Sequence, residues 1–348
     1  MIRAAMPNRN RDIGTPIDRN LALELVRVTE GAAISAARYM GRNQKETADQ
    51  LAVDSMRRSR GFVDMDGIVV IGEGEKDEAP MLYIGERVGN GNPPRVDVAV
   101  DPIDGTRLVA RGLPGGIATV ALAERGSMFH THVPYMEKLI VGPEAAQVID
   151  ITDTVAANLR RIAKAEDRRV EDLTVVVLDR DRHDALLEDI RASGARVKLI
   201  MDGDVAAGLM AAMEHRTGID VLMGIGGAPE AVLAACAVKC MGGGMQARLW
   251  VRDSDRAAFE AEGKREGEVL DLHGLVGGDN VFFAATGITA GELLDGVRFL
   301  GDAHCHTQSV VMRSYSGTIR WVEAEHDLNQ LRARRDEQEI PQIVTPVA

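Results

Sequence analysis

The sequence predicts an α/β protein whose first half is of the α+β type, built as two domains that share one cleft. The second half alternates apolar strands with helices, at 174–178, 196–200 and 220–223, a pattern typical of strands linked by helical crossovers. In the first half, the short apolar runs 68–71 and 96–100 are typical of buried strands. A chain of 348 residues is long enough to hold two domains with substantial cores.

Hydrophobic periodicity places the elements and suggests where the domains divide. Apolar residues spaced three and four apart predict helices over 21–41 and 46–57. Further strands are predicted over 117–123, 138–141 and 147–151, and the second-half sheet is expected to be mainly parallel. We expect four segments: a flexible tail over 1–18, an α+β domain over 19–160 that carries the candidate metal ligands described below, an α/β domain over 161–330, and a flexible tail over 331–348.

Composition excludes several classes of partner. A net charge of −12 opposes non-specific binding to nucleic acid or to an anionic membrane, and an aromatic content of 3% argues against stacking of single-stranded bases. No run approaches the ~18 apolar residues of a membrane span, and the N-terminus lacks the apolar core of a secretory signal. The three cysteines do not form a disulfide framework, so we expect reduced thiols and a cytoplasmic location.

The stretch from Asp101 to Thr106, Asp-Pro-Ile-Asp-Gly-Thr, is the main candidate site. It follows a buried strand, and in open α/β sheets the carboxyl ends of strands are where ligands bind. Two carboxylates and a hydroxyl around a tight turn are hard oxygen ligands, suited to Mg²⁺ or Mn²⁺ and to a phosphate. The alternative is a surface Asp-Pro turn without a ligand.

Two other acids of the first half are candidates for the same site. Glu73 comes directly after the strand 68–71, between glycines that allow a sharp turn. Asp49 shares a face of the second helix with apolar residues, where an unpaired carboxylate is costly and either a cation or hydrogen-bond donors are expected. The alternatives are a solvated acidic loop around Glu73 and an exposed first-turn acid at Asp49.

The strands of the second half end in polar tips that should line one crevice. The three tips are 179–183, 202–204 and 224–230. Asp204 is either a helix cap or a crevice residue, and Glu230 opens the helix after a run of glycines that admit a close ligand. The glycine run lacks the spacing of a dinucleotide-binding fingerprint, which excludes NAD binding of that type.

Taken together, these motifs identify a family. The chain closely resembles bacterial class II fructose-1,6-bisphosphatases, of the lithium-sensitive sugar and inositol phosphatase superfamily, from about residue 20 to 330. The stretches that carry the resemblance are Thr47-Ala48-Asp49, Ile71-Gly72-Glu73-Gly74-Glu75, Asp101–Thr106, Tyr135-Met136-Glu137-Lys138, Asp202-Gly203-Asp204 and Gly226-Gly227-Ala228-Pro229-Glu230. The resemblance implies a layered αβαβα fold and metal-dependent hydrolysis of the 1-phosphate of fructose 1,6-bisphosphate in gluconeogenesis.

The resemblance also implies roles for individual residues. The metal ligands, for Mn²⁺ or Mg²⁺, fall on Asp49, Glu73, Asp101, Asp104 and Glu230. The sugar-phosphate contacts fall on Asp104, Gly105, Thr106, Tyr135, Arg180, Asp181, Arg182, Asp202, Gly203, Asp204 and Gly227. Thr106 is expected to orient the attacking water, and Asp49 or Glu73 to accept its proton.

The chain departs from the family pattern at two positions, and three alternative functions stay open. Asp104 stands where some members carry glutamate, and Arg180 where some carry lysine, which keeps the charge but changes its geometry. The alternatives are a dual fructose-1,6-/sedoheptulose-1,7-bisphosphatase, an inositol monophosphatase, for which the Arg180/Arg182 pair is not needed, and a catalytically silent sugar-phosphate sensor. We expect a homo-oligomer, either a dimer or a tetramer.

Overall fold

The computed structural model describes residues 21–59, 63–72, 82–265 and 267–331. Its helices are α1 (Leu21–Ala37), α2 (Lys45–Ser59), α3 (Thr106–Arg111), α4 (Val155–Ala165), α5 (Asp184–Ala192), α6 (Asp204–Ala211), α7 (Glu214–Thr217), α8 (Ala228–Met241), α9 (Arg256–Ala261) and α10 (Leu272–Leu275). Its strands are β1 (Asp66–Ile71), β2 (Arg87–Val88), β3 (Arg95–Asp104), β4 (Ile117–Glu124), β5 (Tyr135–Val141), β6 (Thr174–Leu178), β7 (Arg196–Ile200), β8 (Val221–Gly227), β9 (Gly244–Leu249), β10 (Leu270–Asp271), β11 (Phe282–Gly287), β12 (Arg298–Leu300), β13 (His304–Arg313) and β14 (Thr318–Asp327). The predicted tails, apart from Leu331, and the predicted ligand Glu73 lie outside the described residues.

The first sheet has eight strands and is mostly antiparallel. Its order is β12-β13-β11-β4-β3-β1-β2, with β14 also paired to β13. Only β1 and β3 run parallel among the described pairs of this sheet, so their carboxyl ends meet at one edge, with Ile71 opposite Ala99. The strand that carries Asp101 and Asp104 is therefore central, between β1 and β4.

The second sheet is mixed, which corrects the expectation of a mainly parallel one. Its six strands lie in the order β10-β9-β5-β8-β6-β7. The strand–helix alternation correctly predicts that β6 runs parallel to β7 and β8. However, β5 pairs antiparallel with both β8 and β9. Because β5 comes from earlier in the chain and enters between two later strands, no local pattern reveals its direction.

The division of the strands between the two sheets does not coincide with the predicted domain boundary between residues 160 and 161. Strands β11 to β14, from the second predicted domain, complete the first sheet, and β5, from the first predicted domain, lies inside the second sheet. Strand order depends on contacts between residues far apart in sequence, and the chain has no linker composition that would reveal such crossings. Each sheet is therefore built from both halves of the chain.

The elements stack in five layers, as the family resemblance implies, and the prediction of an α/β fold is confirmed. Helices α1 and α2 cover the outer face of the first sheet, and α4 and α5 cover the outer face of the second. Helices α6 and α8 lie between the sheets, in the largest apolar core. Helix α8 is buried on nearly all sides, which explains its alanine-rich sequence and its buried thiols Cys236 and Cys240. None of the helices in the described residues has the length and hydropathy needed to cross a bilayer.

The predicted strand over 147–151 is wrong, and a side chain explains why. Ile149 and Ile151 are buried, as in a strand, but this stretch forms turns. The amide of Gln246 takes the place of a neighbouring strand: its Oε1 accepts a hydrogen bond from Ile151 N at 2.7 Å, and its Nε2 donates to Ile149 O at 3.2 Å. Apolar alternation alone does not distinguish these two ways of satisfying a buried backbone.

A buried carboxyl on α1 couples the stability of the fold to pH. Glu30 is 8% exposed and lies between α1 and β13, where Thr307 Oγ1 donates to its Oε1 at 3.4 Å. His326 Nε2 is 3.9 Å from the same oxygen, and burial lowers the pKa of this imidazole. Burial raises the pKa of Glu30 from its usual 4.5 to about 7.

We expect the Glu30→Gln variant to gain stability relative to the unmodified protein as the pH rises. Between pH 4.5 and 7 the folded protein keeps a proton that the unfolded chain has lost, so stability falls across this window and stays reduced above it. In urea unfolding, the stability difference between variant and unmodified protein should be about 2 kcal/mol more favourable at pH 8 than at pH 5. The control is Glu24→Gln on the same helix, where Glu24 bonds Arg27. A difference that is the same at both pH values contradicts the prediction.

Candidate active site

The end of β3 and the start of α3 carry two carboxylates and a hydroxyl within six residues. The four residues of β3 from Asp101 to Asp104 lie opposite only three residues of β4, from Thr119 to Ile117, so the strand contains a bulge. Residues three apart in a regular strand face opposite sides, and the extra residue allows both carboxylates to lie on one side. Gly105 follows with φ of 85°, a conformation that favours glycine, and Thr106 then begins α3.

Backbone amides hold both carboxylates of this turn. Ile103 N donates to Asp101 Oδ1 at 3.0 Å, and Ala206 N, in the first turns of α6, donates to Asp104 Oδ2 at 2.9 Å. Asp104 is 3% exposed, whereas Asp101 and Thr106 are partly exposed. The second bond ties the turn in the first sheet to the layer between the sheets.

The glycines at the end of β8 make room for the protein's own carboxylates. A methyl group at Gly227 would overlap the carboxylate of Glu230, and one at Gly226 would overlap that of Asp204. Helix α8 begins directly after Gly227, with proline in its first turn, and Glu230 lies in that turn. The sequence predicts that these glycines admit a close ligand, and the structure shows that they admit ligand-type side chains.

Four acids from three parts of the chain lie within electrostatic range of each other. Burial raises the pKa of Asp104 well above its usual value, and the charges of Asp204, Glu230 and Asp202 raise it further. Burial also raises the pKa of Glu230, as does the charge of Asp204, whereas Lys138 opposes this rise. We call Asp104, Asp202, Asp204 and Glu230 the carboxylate cluster. Such a cluster at the edge of two sheets is typical of a functional site.

Lys138 is part of the motif that begins at Tyr135, but sequence reasoning gave it no role in the site. It lies in the middle of β5, is 2% exposed, and its Nζ is 2.6 Å from Asp204 Oδ2. The alternative of Asp204 as a helix cap is wrong, because Gly203 caps α6 and the Asp204 carboxylate binds Lys138 instead. The available signal was a lysine directly before the apolar residues 139–141 of a predicted strand, since a buried charge requires a partner.

Of the two remaining acids of the first half, Asp49 is among the described residues and Glu73 is not. Asp49 is half-buried on α2, which packs against β3 and α3. Burial raises its pKa, and the charges that modify this shift are those of Lys45 and Glu46 on the same helix. Glu73 lies outside the described residues, although β1 ends beside β3, two residues before it. The roles of Asp49 and Glu73 stay predictions.

The donor set suits a hard divalent cation. Glu230 Oε2 is buried and has no hydrogen-bond partner among the described residues. Carboxylate oxygens that raise each other's pKa lose this repulsion when a cation lies between them. Among the described side chains, no group of three or more acidic, histidine or cysteine residues is already arranged to hold a metal ion, and Glu73 is not part of that set. The unpartnered oxygen and the raised pKa values fit the implied metal.

The predicted contacts for the second phosphate lie at the end of the second sheet that also carries Asp204 and Glu230, after the carboxyl ends of β6, β7 and β8. The segment from Arg180 to Arg182 follows β6, and Asp181 begins a short 3₁₀ helix. Arg182 donates from Nε and Nη2 to Ile225 O at 3.2 and 2.7 Å, and its guanidinium is 5.5 Å from the centroid of the Tyr135 ring. Arg180 Nη2 is 3.8 Å from Asp202 Oδ1. These contacts link the arginines to the carboxylate cluster.

His183, which the sequence did not single out, positions this arginine segment. Its ring is 1% exposed, and Ile225 N donates to its Nε2 at 2.8 Å. Nδ1, 2.7 Å from Leu178 O, therefore carries the proton and donates it. Burial lowers the pKa of His183, which keeps the imidazole neutral and suited to this bridge between β6 and β8.

Comparison with known proteins identifies the family. Residues 19–326 match the family described as bacterial fructose-1,6-bisphosphatase, glpX-encoded. The D-fructose 1,6-bisphosphatase class 2/sedoheptulose 1,7-bisphosphatase of Synechococcus sp. (strain JA-2-3B'a(2-13)) is 44% identical over 336 residues, 89% of this chain and 96% of the relative. Fructose-1,6-bisphosphatase 1 class 2 of Escherichia coli (strain K12) is 43% identical over 326 residues, 90% of this chain and 96% of the relative.

A solved structure is also similar, though weakly. An IMPase of Thermotoga maritima is 12% identical, with a TM-score of 0.30, over 53% of this chain and 70% of that chain. This likeness is too slight to support an argument. The family match and the two relatives, by contrast, cover nearly the whole chain and confirm what the motifs predicted: the protein belongs to the bacterial class 2 fructose-1,6-bisphosphatase family of enzymes.

Proposed function

We propose that this chain uses Mn²⁺ or Mg²⁺ to hydrolyse the 1-phosphate of fructose 1,6-bisphosphate, releasing fructose 6-phosphate and inorganic phosphate. We place this reaction in gluconeogenesis in the cytoplasm, carried out by a homo-oligomer. The observation that carries the proposal is that Asp104, at the end of β3, and Glu230, in the first turn of α8, are buried close enough for their charges to interact. Glu230 Oε2 has no hydrogen-bond partner among the described residues. The names of the class 2 relatives support the choice of substrate.

The acids of the site would hold the cations. Four of the predicted candidates are described residues, and Glu73 completes the predicted set: the four are Asp49, Asp101, Asp104 and Glu230. Divalent cations, when bound, neutralise charge on the phosphoryl oxygens and make a nearby water more acidic. The hydrogen bond from the Ala206 amide holds the Asp104 carboxylate, and the ion pair with Lys138 holds that of Asp204. Each of these contacts uses one of the two carboxylate oxygens.

The chain's own side chains would orient the reaction. Thr106, at the start of α3 and two residues from Asp104, would hold the attacking water by its hydroxyl. Asp49 or Glu73 accepts the proton as the water attacks phosphorus in line, opposite the sugar oxygen that leaves. Arg180, Arg182 and Tyr135 hold the second phosphate, so that the sugar lies with its 1-phosphate at the carboxylate cluster.

A second substrate is supported by one observation. The Synechococcus relative is named for both fructose 1,6-bisphosphate and sedoheptulose 1,7-bisphosphate. The two sugars share a phosphorylated first carbon and a distal phosphate, so a site that recognises mainly the phosphates would accept both. We therefore keep dual specificity as the second candidate function.

Phosphate release from both sugars, compared with Mn²⁺, with Mg²⁺ and with EDTA, tests the proposal. We expect hydrolysis of fructose 1,6-bisphosphate with at least one of the cations, loss of activity in EDTA, and recovery when the cation is restored in excess. The sugar product should be fructose 6-phosphate.

A Thr106→Ala protein purified in the same way measures contaminating phosphatase. Activity that persists in EDTA, or a product that keeps the 1-phosphate, contradicts the proposal. If neither sugar is hydrolysed, the silent sensor becomes the better explanation.

A further inference from the structure

Two arginines from different parts of the chain approach the ring of Tyr135. The guanidinium of Arg252 lies 4.7 Å from the ring centroid and that of Arg182 lies 5.5 Å from it, both within the range of a cation–π interaction. Trp250 contacts the same ring edge-on at 5.9 Å. Arg252 follows β9, so it reaches Tyr135 from the opposite neighbour of β5, whereas Arg182 approaches from the side of β8.

Asp255 orients Arg252, and within the described residues the remaining donors of Arg252 have no hydrogen-bond acceptor. Its Nε and Nη2 donate to Asp255 at 2.7 and 2.9 Å, in a two-point pair with a carboxylate that is nearly buried. A guanidinium has five N–H donors, so this pair leaves three for another acceptor. The side chain of Arg252 is 42% exposed, so a ligand in the cleft can reach them.

The positive charges here favour an anion. Burial lowers the pKa of Arg182, and the neighbouring charges of Arg180 and Arg252 lower it further, because like charges disfavour one another's ionised form. A phosphate placed among the three guanidinium groups removes this repulsion and accepts charge-assisted hydrogen bonds. The Asp255 pair prevents Arg252 from turning away when no anion is bound.

We propose that Arg252 is a third guanidinium contact for the distal phosphate of the sugar bisphosphate, with Arg180 and Arg182, and that it helps select substrates with two phosphates over those with one. The inference rests on the proposed function of the same site. Neither the motifs nor the family resemblance places a role on Arg252.

Binding of fructose 6-phosphate without divalent cation tests the inference directly, because this sugar carries only the distal phosphate. In calorimetric titrations, Arg252→Ala is expected to raise Kd about tenfold. Arg252→Lys should raise it by less, since lysine keeps the charge but loses the two parallel N–H donors of the guanidinium.

In turnover assays with cation, Arg252→Ala should raise KM for fructose 1,6-bisphosphate by a similar factor, with kcat within about threefold of that of the unmodified enzyme. Turnover of fructose 1-phosphate, which lacks the distal phosphate, should stay unchanged.

The chain offers a matched control at Arg169. Arg169 makes the same two-point pair, from Nε and Nη2, with the acid three residues later, and like Arg252 it precedes a 3₁₀ helix. Arg169→Ala therefore removes the same charge and the same kind of ion pair without an aromatic neighbour at Tyr135, and it should leave Kd and KM unchanged.

The outcomes separate this inference from the proposed function. Equal losses on fructose 1-phosphate and fructose 1,6-bisphosphate, or an unchanged Kd in Arg252→Ala, overturn the role of Arg252. If the unmodified protein does not hydrolyse fructose 1,6-bisphosphate, the proposed function fails, and the fructose 6-phosphate titration still decides about Arg252. No binding of fructose 6-phosphate to the unmodified protein also overturns the inference.

Discussion

Replacing Thr106 by alanine is expected to lower kcat for fructose 1,6-bisphosphate about a hundredfold or more, while KM changes little. Thr106 is the first residue of α3, two residues after Asp104, and the amide of the next residue, Arg107, donates to Asp202 of the carboxylate cluster at 3.1 Å. In the proposed mechanism the hydroxyl of Thr106 orients the attacking water. Orientation of a reacting group and proton transfer each contribute about a hundredfold or more to catalysis. Steady-state kinetics with saturating Mn²⁺ or Mg²⁺ measures the effect.

The matched variant is Thr106→Ser, which keeps the hydroxyl and should keep most of the activity. Thermal unfolding of both variants checks that α3 is intact, since Thr106 is only partly exposed and the helix is short. Turnover of Thr106→Ala within a few-fold of the unmodified enzyme would show that the role given to Thr106 is wrong.

Replacing Lys138 by methionine is expected to destabilise the fold by about 3–5 kcal/mol, because it leaves Asp204 buried without a partner. Asp104 and Glu230 are close enough that their charges add to the cost. The Lys138 side chain is 2% exposed and that of Asp204 is 9% exposed, so water does not replace the lost partner. Urea unfolding at pH 7.5 measures the change in the free energy of unfolding.

A second variant separates the lost ion pair from the change in shape. Lys138→Met combined with Asp204→Asn removes both charges, and it should recover at least half of the lost stability, since the main cost is the unpaired carboxylate. If Lys138→Met alone costs less than about 1 kcal/mol, or if the double variant is no better, the ion pair does not have the role we give it.

The helices and most strands were predictable because their pattern is local. The spacing of apolar residues predicted α1 and α2, and β6 with β7 followed from strand–helix alternation. The turn at 147–151 and the antiparallel β5 were not predictable, because the first depends on the amide of Gln246, about a hundred residues away, and the second on which strands β5 enters between. Partners distant in the chain leave no periodic signal.

The residues of the site also fall into two groups, those that a local sequence pattern predicted and those whose role depends on distant partners. The motif around Asp101, the glycines before Glu230 and the Arg180–Arg182 segment were found as sequence patterns, and the structure places Asp104 with Glu230 in one cluster. Lys138 belongs to the motif that begins at Tyr135, but nothing in that motif predicted its buried ion pair. The bridge made by His183 and the approach of Arg252 to Tyr135 were not predicted either. Each is an ordinary residue type whose role depends on what faces it.

The sequence by itself determined the family, the class of reaction and the list of acidic residues that could take part, because residue type and spacing carry that chemistry. Only the tertiary structure decided which of these acids meet, which one Lys138 neutralises and which one has an oxygen without a hydrogen-bond partner in the described part of the chain. The physical reason is that burial and charge act over a few ångströms in space. Residues such as Lys138 and Asp204, far apart in the chain, reach that distance only when both sheets are assembled.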